Sequence, residues 1–90
     1  MDAAARIMVE GAVQGVGFRY FILHQAQILP LKGYVRNLAD GRVEIEVEGE
    51  KSAIEQLFDL AKRGPRLAQV ESVKIEWKES TGVYSNFGIR

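Results

Sequence analysis

From Arg6 to Val13 the chain alternates: Ile7, Val9, Gly11 and Val13 fall on one side, and Met8, Glu10 and Ala12 on the other. A period of two predicts a strand with one face more apolar than the other. Beyond a glycine-rich stretch the period changes. Phe18, Ile22, Ala26 and Leu29 recur at spacings of four and three, which predicts a helix from about Arg19 to about Leu29, stopped by Pro30. "KGYVRNLADGRVEIEVEGE" then reads as a hairpin. It has a strand through Tyr34 and Val35, a turn at Asp40-Gly41, and a strand with Val43, Ile45 and Val47 inward. Arg42, Glu44, Glu46 and Glu48 occupy the other face of that strand, where alternating charge predicts solvent.

Ser52 followed by Glu55 predicts a capping box, and Ile54, Leu57, Phe58 and Ala61 mark one apolar stripe of a second helix that ends at Gly64-Pro65. Val73, Ile75 and Trp77 alternate as a fourth strand, with Trp77 and Phe58 read as core, and "VYSNFGIR" offers a short edge strand. The order strand, helix, strand, strand, helix, strand is that of a ferredoxin-like β-α-β-β-α-β sandwich. In that α+β fold two helices cover one face of an antiparallel sheet.

Composition narrows the classes. Ninety residues fit one domain, 1–90, and the 47% apolar and 27% charged fractions are those of a globular chain. Twelve basic and twelve acidic residues cancel, so neither nucleic acid nor an anionic membrane surface is an expected partner. No cysteine is present, which removes thiol catalysis, disulfides and cysteine–zinc sites. No segment approaches the apolar length of a membrane span, and the N-terminal residues lack a signal-peptide pattern. A cytoplasmic monomer is the expectation.

The candidate chemistry sits in "GAVQGVGFRYF", residues 11–21, between the first strand and the first helix. Free N–H groups at a helix start and the positive end of its dipole favour a bound anion. Gly15 and Gly17 let consecutive N–H groups converge, and Arg19 adds a planar fork of donors. Glycines here also make an ordinary tight turn, and an arginine at a helix start is often only solvated, so the loop alone leaves both readings open. Nucleotide cofactors are not expected: Tyr20 stands where a dinucleotide fingerprint needs a small residue, and no Gly-Lys-Ser/Thr follows. The right-handed crossover makes the first two strands parallel, with one strand between them, so their ends lie roughly 10 Å apart. A side chain as long as Arg19 spans much of that gap and meets "GYVRNL", where the polar groups are Arg36 and Asn37.

"GAVQGVGFR", Gly11 to Arg19, resembles the first signature of the acylphosphatase family, and "GYVRNLADGRVEIEVEG", Gly33 to Gly49, resembles the second. The terminal "NFGIR" is also similar, so the resemblance runs over essentially the whole chain. It implies the ferredoxin-like fold and hydrolysis of the mixed anhydride of acyl phosphates, with inorganic phosphate as product. It places the catalytic arginine on Arg19 and the catalytic asparagine on Asn37, choosing Asn37 over Arg36. It also implies that the backbone N–H groups of Gly15, Val16, Gly17, Phe18 and Arg19 hold the phosphoryl group. No metal or cofactor is implied, since the carboxylate leaving group is already good. One departure is Pro30 in "LPLKG", which alters the helix exit and not the site. Similar domains stand at the front of larger hydrogenase-maturation proteins; the length of this chain favours a free hydrolase.

Other residues receive lesser roles. His24 is expected at the surface or partly buried, Tyr20 and Tyr34 stand between lining a substrate entrance and packing, and Asp40 is a turn residue. The competing class is a non-catalytic anion- or ligand-binding module on the same fold. An RNA-binding sheet needs exposed aromatic and basic residues, and the glutamates of the third strand repel phosphate chains. A passive anion binder gains little from a water-orienting amide at Asn37.

Overall fold

A computed structural model describes residues 2–90. The elements run β1 (Asp2–Ala12), α1 (Phe18–Ile28), β2 (Lys32–Asn37), β3 (Val43–Glu50), α2 (Lys51–Arg63), β4 (Gln69–Lys78) and β5 (Phe87–Ile89). They form one sheet in the order β4-β1-β3-β2-β5. β3 lies antiparallel to both β1 and β2, so β1 and β2 run parallel with β3 between them. The expected antiparallel sheet is therefore complete through four strands, and β5 adds a parallel pairing on β2 that makes the sheet mixed. Ile7, Val9, Val35, Val43, Ile45 and Val47 share one core with Phe18 and Ile22 of α1 and Ile54 and Leu57 of α2, so both helices cover the same face. Each such side chain stabilises the fold by about 1.5–3 kcal/mol through removal from water.

Three boundary expectations are corrected. β1 begins at Asp2, not Arg6, because Ala3, Ala4 and Ala5 pair with Gly49, Glu48 and Val47 of β3; a run of alanines has no alternation to read. The capping box does not form. Asp2 pairs with Glu50, which extends β3 directly into the helix, so Glu50 takes the N-cap position, no side chain caps α2, and Ser52 is already helical. Trp77 is 41% exposed, not core, since β4 is an edge strand; the Lys51 ammonium lies 5.3 Å from its ring centre. Phe58 packs partly buried against the core, with the Lys62 ammonium 4.3 Å from its ring centre.

The largest correction concerns the charged face of β3. Glu44, Glu46 and Glu48 are 3%, 8% and 8% exposed, not solvated. Glu44 and Glu46 by ion pairing, and Glu48 by hydrogen bonding, hold the helix-free face together. Glu44 accepts hydrogen bonds from Arg6 Nε at 2.8 Å, Arg36 Nε at 2.6 Å and Tyr34 Oη at 3.2 Å. Glu46 pairs with Lys78 Nζ at 2.7 Å. The Glu48 carboxylate accepts from the backbone N–H groups of Thr81 and Gly82 and from both the Thr81 and Ser80 hydroxyls, which ties the β4–β5 connection down beside the sheet.

Burial pushes the Glu44 carboxyl upward, but hydrogen bonds from Arg6, Arg36 and Tyr34 and the Arg36 charge outweigh it and hold the group below the ordinary carboxylate value. A depressed value in the folded state stabilises above the unfolded value, near 4.5, and that contribution is lost as pH falls through the folded value. Glu44→Gln is therefore expected to melt below the parent chain at pH 7 by about 1–2 kcal/mol, a buried-pair cost discounted because the arginine partners are half exposed. The gap should close in melts as pH falls from about 4.5 through the folded value. A gap that stays constant over that range would show that Glu44 contributes no charge pairing.

Candidate active site

The loop that follows β1 is shaped by three local features. Strand pairing breaks at a bulge between Glu10 and Gly11, which re-aims the chain. Val13 and Phe18, each 1% exposed, then root the two ends of the loop in the core. Between them Gly15 and Gly17 take φ values of 74° and 81°, a left-handed conformation that suits glycine. A Cβ at either position would meet nothing within 4 Å, so backbone conformation and not space demands glycine there. Gly17 is the N-cap of α1 and its carbonyl accepts from Phe21 N–H at 3.0 Å, while no side chain caps the helix. The N–H groups of Phe18, Arg19 and Tyr20 accordingly have no intrahelical acceptor.

These elements open onto a cleft of about 100 Å³ lined by Val13, Gly15, Gly17, Phe18, Arg19, Tyr20 and Asn37. A water occupies about 30 Å³ of the liquid, so the cleft suits a group of a few heavy atoms. Arg19 is the only charged residue of the lining and has no ion-pair or hydrogen-bonded side-chain partner among the described residues. Asn37, the last residue of β2, lines the same cleft. Its Oδ1 is buried and, among the described residues, accepts no hydrogen bond. Leaving such an atom unpaired costs about 1–3 kcal/mol, which the fold offsets elsewhere. The cleft thus brings together a positive charge, the start of a helix with no side-chain cap, and a side-chain amide.

A larger depression of about 600 Å³ lies at the opposite ends of the strands, between the start of α2 and the end of α1. It contains neither Arg19 nor Asn37, so size does not mark the chemistry here.

The family profile described as Acylphosphatase matches residues 5–89. The chain belongs to the acylphosphatase family. An acylphosphatase of Thermus thermophilus is 50% identical over 76 residues, covering 84% of this chain and 86% of that one. An acylphosphatase of Caldivirga maquilingensis is 50% identical over 86 residues, covering 94% and 90%. The crystal structure of the Bacillus subtilis acylphosphatase superposes with a TM-score of 0.94 at 38% identity, over 98% of each chain.

Of the residues that the acylphosphatase resemblance implicates, Gly15, Gly17, Phe18, Arg19 and Asn37 line one cleft. Val16 does not; it packs partly buried against the core and contributes only backbone to the loop. Tyr20, left undecided by the sequence, lines the cleft with a side chain 65% exposed. Tyr34 belongs to the opposite face, bonded to Glu44 and with Arg90 4.3 Å from its ring centre. Arg36 is engaged on that same face by Glu44, which leaves Asn37 as the polar group of "GYVRNL" at the cleft. His24 is exposed on α1, away from the cleft lining. One acylphosphatase-loop residue was missed altogether. Gln14 donates from Nε2 to two carbonyls of the turn after Asn37, and a lone donor-bearing side chain between glycines was the available signal.

Proposed function

We propose that this acylphosphatase hydrolyses the carboxyl–phosphate anhydride of acyl phosphates by direct attack of water on phosphorus in the Arg19–Asn37 cleft. The observation that carries this reading is that Asn37 lines the same cleft as the unpaired Arg19 guanidinium. The N–H groups from Gly15 to Arg19, with the Arg19 fork, bind the phosphoryl oxygens and stabilise their charge most strongly in the transition state. Asn37 orients the attacking water through its amide oxygen or nitrogen and aims it in line with the bond to the leaving group. The new bond joins the water oxygen to phosphorus, the bond to the acyl oxygen breaks, and carboxylate leaves with the electron pair. The water proton passes to a phosphoryl oxygen, giving inorganic phosphate. The leaving carboxylate needs no proton, so the chemistry asks for no general acid, and Asn37 is not asked to act as a base.

A passive anion-binding module is not favoured, because a buried unpaired amide is a cost that such a site does not use. The proposed enzyme is a single domain acting as a cytoplasmic monomer, on an acyl phosphate and without nucleic acid or membrane. The balanced charge of twelve basic and twelve acidic residues supports the last part. Among the described residues no helix is long and apolar enough to cross a membrane.

The test is phosphate release from benzoyl phosphate by the purified chain in excess EDTA. Turnover well above the uncatalysed rate and unaffected by the chelator is expected. A folded chain that binds phosphate without turnover would instead be an anion-binding domain.

A further inference from the structure

β1 and β2 are not neighbours in the sheet, because β3 separates them, so no strand ladder directly couples the loop carrying Arg19 to the strand end carrying Asn37. Gln14 bridges that gap. Its side-chain amide donates to the carbonyl oxygen of Leu38 at 2.8 Å and to that of Arg42 at 3.0 Å, which uses both of its hydrogens. Those two carbonyls also close the β2–β3 turn: Leu38 N–H donates to Arg42 at 2.8 Å and Gly41 N–H to Leu38 at 3.1 Å. Asp40 stiffens the same turn by accepting from the Arg42 backbone N–H and from Arg42 Nε. The turn is thus a small rigid unit that begins next to Asn37, and Gln14, next to Gly15, holds it. Among the described residues these are the side-chain hydrogen bonds that join the two halves of the cleft.

We infer that Gln14 is a positioning residue that sets the spacing between the phosphoryl-binding loop and the Asn37 amide. The inference rests on the proposed roles of Arg19 and Asn37. In-line attack tolerates little error, and a displacement of about 1 Å can cost about 100-fold in rate. Both Gln14 bonds are solvent-exposed, so their removal should shift the melting temperature little while the relative placement of the two halves loosens. Binding of the phosphoryl group depends on the loop alone and should persist. Gln14 therefore ought to affect kcat and leave phosphate affinity largely intact.

The experiment measures kcat for benzoyl phosphate, the inhibition constant of inorganic phosphate and the melting temperature for the parent chain, Gln14→Ala, Asn37→Ala and the double variant. We expect Gln14→Ala to lose roughly 10-fold in kcat with the phosphate constant changed less than about threefold. In the Asn37→Ala background the same substitution should have no further effect, because the group it positions is gone. Should Gln14→Ala not fold, Gln14→Met, similar in length and without donors, serves in its place. Parent-like kcat in a folded Gln14 variant overturns the inference, and so does a loss that multiplies fully with that of Asn37→Ala. Parent-like kcat in Asn37→Ala alone overturns the role of Asn37 and the inference with it, whereas an inactive parent chain overturns the proposed reaction itself.

Discussion

Arg19→Ala is expected to turn over benzoyl phosphate at least about 100-fold more slowly than the parent chain, the scale of losing a preorganised group that meets developing charge. Arg19 supplies the only full charge in the cleft lining, so nothing nearby substitutes for it. The loop N–H groups remain and keep part of the phosphate affinity, which sets a floor under the loss. Stability should barely move. The guanidinium has no ion-pair partner among the described residues, and the buried anchors of the loop are Val13 and Phe18. Arg19→Lys keeps the charge but not the planar fork and should fall between the two. A folded Arg19→Ala variant with parent-like turnover would remove Arg19 from the mechanism.

Asn37→Ala should also cost at least about 100-fold in turnover, but with a different signature in stability. The buried Oδ1 has no hydrogen-bond partner, so its removal relieves a desolvation cost of about 1–3 kcal/mol against a smaller loss of packing. The variant is expected to melt at or above the parent temperature. Phosphate inhibition should be largely kept, because the donors proposed to hold the phosphoryl group belong to the loop and the start of α1, not to β2. Thermal melts beside single-turnover kinetics decide the matter: a variant that melts lower and hydrolyses normally would make Asn37 a packing residue. The opposite pairing, higher stability with lost activity, is the mark of a group retained for chemistry at the expense of the fold.

Much of the site was readable because its determinants are local. The left-handed positions at Gly15 and Gly17 and the helix start beside Arg19 all lie within a few residues of one another. The partner across the cleft was harder. Spacing placed both Arg36 and Asn37 near it, and family resemblance was needed to choose. The structure shows the physical reason: successive residues of a strand face opposite ways, so Arg36 turns to Glu44 and Asn37 to the cleft. Gln14 stayed silent in the sequence because its acceptors, Leu38 and Arg42, are main-chain atoms of a distant turn.

By itself the amino-acid sequence determined the order of elements, the inward faces of β1 and β3, the stripe of α2 and the glycine turn that opens α1. Each follows from periodicity or backbone chemistry over a few neighbouring residues. Only the tertiary structure decided the fate of Glu44, Glu46 and Glu48. Alternating glutamates look solvated in any local window. Here Arg6, Arg36, Lys78 and the 80–82 segment converge on them from other strands and from the β4–β5 connection, and a carboxylate can be buried when partners brought from elsewhere in the chain satisfy it.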